Sequence, residues 1–350
     1  MVEIGSDILK IAPGSKELKQ EGLDTTGYET LDNIIRHPHY KEILDLPYRV
    51  MLFWAHGGKE GWQAKHMNED QRAALHRELF EFTKYLLTQY NGTGKTFLIG
   101  NWEGDWLAGG MSVGKDKDLE ADRISAFQEW LDIRCKAIDE AKAAIPHKNV
   151  AVFSYLEINH VNWARTKGLK RLVNTVLPCS QVDYVSVSSY EMQGYGGWKA
   201  PKTEASLHDA VFDNLNYVER NLPPRDIPGK RVFIGEIGFT LEEIQKKQKL
   251  TRERADKEQA RLALIEAKVD LEWGTPLWLW WAIYNSHEGT FCLVNQLTGQ
   301  KSVLYNELKT YYQWAGDYVK RYQQAHGVLP DPATFRKQAL DQLNKQIGHL

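Results

Sequence analysis

The stretch Arg231-Val-Phe-Ile-Gly-Glu-Ile-Gly-Phe239 carries five apolar residues around one acid, with glycines at 235 and 238. A strand this uniformly apolar has to be covered on both faces, and that is the habit of parallel sheets flanked by helices. A glutamate inside it is costly to bury unless it has partners or a task. The same grammar recurs outward in both directions. Upstream lie Ile8–Ala12, Tyr48–Ala55, Thr96–Glu103, Asn149–Glu157 and Asp183–Tyr190, and downstream lies Pro276–Tyr284. Helical periodicity separates them, over 68–90, 119–144, 168–176, 207–221 and 241–271. The segment 241–271 is so polar that it reads as a solvated helix.

Strand–helix alternation of this kind predicts an α/β fold, a (β/α)8 barrel of the triosephosphate isomerase type. Seven strands are counted where the closed barrel has eight, so the first strand is expected to be missing or displaced. An open doubly wound sheet is the structural alternative. After the last strand, 291–304 reads as a hairpin turning at Thr298-Gly299. The barrel is expected over 1–325, and 326–350 is expected to form a C-terminal tail helix.

Bulk properties narrow the function. The 350 residues carry a formal net charge of −2, which gives no bias toward nucleic acid or an anionic membrane. The three cysteines are far apart, without a Cys-x-x-Cys, so neither a disulfide framework nor a zinc site is expected. His37, His39 and His66 lack metal-ligand spacing. No cofactor and no metal are expected. No apolar run approaches the roughly 20 residues of a membrane span, and the first residues lack a signal-peptide pattern. The chain as it stands reads as cytoplasmic, or as secreted if its start has been trimmed. The unusual count is 12 Trp, beside 16 Tyr and 11 Phe. Flat rings at strand ends can stack on sugar faces.

In such barrels the site lies at the C-terminal ends of the strands. Counted on a full barrel, the third strand ends in Trp54 and His56, and the fourth in Asn101, Glu103, Asp105 and Trp106. The fifth ends in Glu157 and Asn159, the sixth in Tyr190 and Glu191, the seventh in Glu236, and the eighth in Trp281, Tyr284 and Asn285. Acids, amides and aromatics on one rim are what glycoside chemistry needs: two carboxyls for the bond, amides for hydroxyls, rings for apolar sugar faces. Glu157 could be a third carboxyl of the site or a salt-bridge partner, and Glu191 reads as loop surface.

These segments resemble the clan A glycoside hydrolases, the retaining glycosidases that include many cellulases and mannanases. The resemblance rests on Gly100-Asn-Trp-Glu-Gly-Asp-Trp106, Ile234-Gly-Glu-Ile-Gly238 and Leu279-Trp-Trp-Ala-Ile-Tyr-Asn285, and spans roughly residues 8–320. It implies a retaining mechanism with Glu236 as nucleophile and Glu103 as acid/base, and an oligosaccharide or glycoside as partner. Trp281 would floor the site and Tyr190 would orient Glu236. Asn101 would hold a sugar hydroxyl. Trp54, His56, Trp106, Asn159 and Asn285 complete the expected substrate contacts. One departure stands out: the clan places Asn directly before its fourth-strand Glu, whereas Trp102 intervenes here. On a regular strand, Asn101 and Glu103 would then share a side. The clan's second-strand Arg has only Lys10 as a stand-in. A catalytically inactive carbohydrate-binding barrel is the competing reading.

Overall fold

The computed structural model describes residues 2–59, 61–110, 113–114, 116–193, 203–284 and 291–350. Its strands are β1 (Ile8–Ile11), β2 (Val50–Trp54), β3 (Thr96–Gly100), β4 (Ala151–Ile158), β5 (Tyr184–Ser188), β6 (Val232–Ile237) and β7 (Trp278–Trp280). They form one sheet in chain order, with parallel pairing in register from β1 through β5 and a parallel β6–β7 pair whose register shifts between Ile234 and Ile237. This is the nearly closed parallel barrel expected from the alternation, with seven strands among the described residues.

The helices are α1 (Ser15–Gln20), α2 (Leu31–Ile34), α3 (Pro38–Asp45), α4 (Glu69–Gln89), α5 (Gly104–Gly109), α6 (Ala121–Ala144) and α7 (Val161–Lys167), followed by α8 (Leu172–Thr175), α9 (Glu204–Arg220), α10 (Leu241–Gln248), α11 (Arg252–Trp273), α12 (Val303–His326) and α13 (Pro332–His349). Asn68 caps α4 in a reciprocal box with Gln71, which is why the periodic segment begins there. The three short helices between β1 and β2 leave too brief a periodic signal to read from sequence.

The chain divides into two compact units. One is Asp7–Ser188 with Asn214–Val232, and the other is Met1–Ser6, Ser189–Asp213 and Phe233–Leu350. In the first, Phe53 of β2 packs against Phe82 of α4 and Phe97 of β3, all buried. Arg134 of α6 is buried and points its guanidinium at the strand ends. It donates to the carbonyls of Ala55 (2.6 Å), Gly100 (3.1 Å) and His56. Those carbonyls lie at the ends of β2 and β3, and that of Gly100 also accepts from the Ala55 N–H at 2.9 Å. One buried cation therefore sets the exit path of two site loops. Its own ring partner is Trp130, 4.3 Å from the guanidinium carbon.

In the second unit the structure corrects the sequence reading. The polar segment 241–271 is two helices, broken at Lys249, which adopts φ 55°. The second of them, α11, is not a solvated face. Ala260, Ala263 and Leu264 pack into a core with Leu304, Tyr305 and Leu343, and Trp278 and Trp280 lie against it. The tail helix α13 contributes Leu343 and Ile347 to this same core. The last strand is only three residues long, and the expected hairpin is reduced to a single antiparallel bridge, Val294 with Lys301.

Glu266 and Asp270, one turn apart on α11, are fully buried. Ser189 donates to Glu266 at 3.3 Å. Glu266 Oε2 and both Asp270 oxygens have no hydrogen-bond partner. Burial, and for Glu266 the neighbouring Asp270 carboxyl, pushes both acids well above the usual carboxylate range. The Trp278 indole opposes this for Asp270. The folded state thus holds protons that the unfolded chain releases. The stability these two acids contribute is full below about pH 4, the unfolded carboxylate value, and declines as pH rises from there toward the folded-state value. Asp270→Asn is expected to raise stability at pH 7 by about 1–2 kcal/mol and to flatten the decline. Urea unfolding at pH 5 and pH 8 checks this; equal parent stability at both would count against it.

Candidate active site

β3 ends at Gly100, so Asn101, Trp102 and Glu103 leave the sheet before strand parity can govern them. This corrects the expectation drawn from a regular strand. Tyr155 accounts for the glycine at the strand's end: its ring lies 2.4 Å from where a Cβ of Gly100 would stand, and its hydroxyl donates to the Phe53 carbonyl at 3.1 Å. The exit loop is pinned by reciprocal clamps. Asn101 donates to the Glu157 carbonyl (3.0 Å) and accepts from the Glu157 N–H (3.3 Å). Asp105 accepts from the Asn159 N–H (3.2 Å), and its own N–H donates to Asn159 Oδ1 (3.1 Å). Gly104 lies between them, and a Cβ there would stand 2.7 Å from the Glu157 carbonyl. The amides of Asn101 and Asn159 are thus occupied with backbone.

These clamps deliver Glu103 to the N-cap of α5, 6 % exposed. Ser188 donates to its Oε1 at 2.6 Å. Burial, and then the Glu157 carboxylate, push its pKa up to about 7, against the lowering effects of Ser188 and Lys10. Glu103 is therefore largely protonated below about pH 6 and loses its proton around neutral pH. Glu157 is wholly buried and accepts from Lys10 (2.5 Å), Ser186 (2.7 Å), Trp54 Nε1 (3.1 Å) and the Glu103 N–H (3.3 Å). Lys10 also stands 4.1 Å over the Trp54 ring.

Two imidazoles line the same unit. His56 accepts from the Trp102 N–H at 3.1 Å, and burial with the Arg134 charge lowers its pKa to about 4. His160 accepts from Trp106 Nε1 at 2.8 Å and stacks on Trp163 at 4.1 Å. Burial and Arg171 lower it to about 3. Both are neutral acceptors at working pH, fixing the Trp102 backbone and the Trp106 ring.

In the other unit, Glu236 stands near the end of β6, 6 % exposed, and Tyr190 donates to its Oε1 at 2.8 Å. The Ser189 N–H donates to the Glu236 carbonyl at 2.9 Å, so both the backbone and the carboxyl of Glu236 are held by adjacent residues. Trp281 follows β7, half-buried, with its N–H on the Ile237 carbonyl at 2.7 Å and a cis peptide to Ala282. Its carbonyl lies 2.7 Å from where a Cβ of Gly238 would be, which accounts for the second glycine of the Gly-Glu-Ile-Gly motif. Glu191, read from sequence as loop surface, is buried. Asn285 lies outside the described residues.

Sequence reasoning underweighted Lys10, Ser186 and Ser188. The signal was present in Tyr184-Val-Ser-Val-Ser188, where small hydroxyls alternate with valines and so share one face. Among the described residues no cluster of three or more His, Cys, Asp or Glu could hold a metal ion, and no helix is long and apolar enough to cross a membrane.

No protein-family model and no curated protein matches this chain. Solved structures do. A Bacteroidetes-affiliated GH5 cellulase linked with a polysaccharide utilization locus superposes with a TM-score of 0.50 at 14% identity, covering 97% of this chain and 85% of the other. The chain shares that barrel fold. A GH5-4 broad specificity endoglucanase from Clostridium acetobutylicum gives 0.49 at 12% identity, over 88% and 86%. At such identities the likeness concerns the fold, and the chemistry has to be argued from the residues in place.

Proposed function

We propose that the protein is a retaining glycoside hydrolase acting on an oligosaccharide or glycoside. The observation that carries this reading is the state of Glu103: a buried carboxyl beside a strand end, fastened by Ser188 and raised to about 7. A carboxyl that keeps its proton near neutral pH is what a glycosidase acid requires. Glu236, oriented by Tyr190, is the nucleophile. In the first step a Glu236 oxygen attacks the anomeric carbon while Glu103 passes its proton to the departing oxygen, leaving a covalent glycosyl ester. In the second, Glu103 takes a proton from water, the water oxygen attacks the same carbon, and Glu236 is released. Trp281, Trp54 and Trp106 are candidates for ring contacts with sugar faces.

The sign of the pH dependence follows from Glu103. The acid must be protonated in the free enzyme, so kcat/KM is expected to fall tenfold per unit above about pH 7, where Glu103 loses its proton. Glu103→Gln is expected to lower kcat by about 10²–10⁴-fold on substrates with poor leaving groups, and far less on activated aryl glycosides that need no proton. A panel of polysaccharides and aryl glycosides, with β-glucans included, supplies the substrates. Binding to a glycan of the panel without any cleavage would favour the inactive carbohydrate-binding barrel instead.

A further inference from the structure

Glu157 takes no direct part in the two-carboxylate mechanism, yet it is wholly buried and its carboxylate accepts four hydrogen bonds. Each of its oxygens accepts twice. Oε2 receives Lys10 from β1 at 2.5 Å and Ser186 from β5 at 2.7 Å. Oε1 receives Trp54 from β2 at 3.1 Å and the backbone N–H of Glu103 at 3.3 Å. Ser186 is its register partner across the β4–β5 pair. Its backbone is gripped separately by the Asn101 amide. Residues 101 and 103, on either side of the intruding Trp102, are therefore both tied to residue 157. A buried charge of this kind needs a counter-charge and a full set of donors to be tolerated, and Glu157 has both.

We infer that Glu157 is the positioning residue of Glu103: it holds the 101–103 loop by its backbone and carboxylate, and its charge, balanced by Lys10, acts on the Glu103 carboxyl. This deepens the reading of Glu103 as the acid and rests on it for its catalytic meaning. The charged groups acting on Glu103 are Glu157 from β4, Lys10 from β1 and Asp105 from its own helix α5, with the Ser188 hydroxyl from β5. Glu157 and Asp105 favour the protonated form, and Lys10 and Ser188 the ionised one. Lys10 and Glu157 are thus an opposed pair, and removing one exposes the effect of the other. The arrangement supplies what Trp102 displaces: a second anchor for a loop that the intervening residue lengthens.

The test is a direct titration of Glu103 in the full-length protein by ¹³C-carboxyl NMR, assigned by the resonance lost in Glu103→Gln. In Glu157→Gln the midpoint of Glu103 is expected to drop by about one pH unit or more, because Lys10 then acts without its opponent. In the double variant Lys10→Met/Glu157→Gln the midpoint is expected to return to within about half a unit of the parent value. A packing role alone would move neither in this pattern. An unchanged midpoint in Glu157→Gln overturns the inference. Should that variant not fold, a double-variant midpoint more than about a unit from the parent overturns it as well. The titration needs no substrate, so the two readings separate. If the midpoints move as expected while the parent cleaves no glycan, or while the alkaline limb of kcat/KM ignores them, the proposed catalysis fails and the positioning role stands.

Discussion

Glutamine in place of Glu236 is expected to lower turnover of a cleaved glycan by at least about a thousandfold, with stability nearly unchanged. The size follows from the chemistry: an amide is a very poor nucleophile, and without the ester the two-step path is closed. The neutrality in stability follows from the environment. Tyr190 donates to Glu236 Oε1 at 2.8 Å, and a glutamine oxygen can accept the same bond. Glu236→Ala opens space as well, and there a small anion such as azide is expected to restore turnover of an activated aryl glycoside, giving a glycosyl azide of inverted configuration. Initial rates with and without azide, and the configuration of the product, decide the matter. Glu236→Gln with the parent's activity would remove Glu236 from the mechanism. Tyr190→Phe is the milder companion, expected to cost a smaller factor in kcat because the carboxylate stays while its orientation loosens.

The largest expected loss of stability is at Arg134. Arg134→Met keeps much of the side chain's volume but takes the donors from the carbonyls of Ala55, His56 and Gly100, all at the ends of β2 and β3. Charge-assisted hydrogen bonds contribute about 1.5–3 kcal/mol each, and burying carbonyls without donors costs extra. Against this stands the relief of desolvating a guanidinium, which burial already pushes down to about 10. A net loss of about 3 kcal/mol is expected, read as a lower urea midpoint. The consequence for the site is more specific. Arg134 is the charge that helps keep His56 neutral, and His56 in that state accepts the Trp102 N–H. Arg134→Met should therefore raise the His56 pKa while it loosens the loop that carries Glu103. A loss below about 1 kcal/mol would mean that water replaces the guanidinium at the three carbonyls.

Much of this molecule was legible from one chain of letters. The parallel barrel follows from seven apolar runs spaced by helical periods, because a strand apolar on both faces admits few other settings. The positions of Glu103, Glu236 and Trp281 at or just beyond strand ends follow from the same runs. Local chemistry was readable where it is local, as in the helix start at Asn68 and the turn at Gly299, which adopts φ 70°.

Partnership between distant residues was decided by the tertiary structure alone. Nothing in Ile8-Leu-Lys-Ile11 says that Lys10 will meet an acid 147 positions away, and nothing in a helix as polar as α11 says that Glu266 and Asp270 will be buried. Periodicity reports which face of an element is apolar, but it is blind to what faces a polar residue that happens to point inward. The same limit explains Asn101. Its type suggested a hand for sugar hydroxyls, and the fold spends that hand on the backbone of Glu157. Sequence placed the acids at the rim. Only the tertiary structure decided that Glu103 would be buried beside Glu157 and so raised above the usual carboxylate range, because a carboxyl's charge state depends on burial and neighbours that no single stretch of sequence contains.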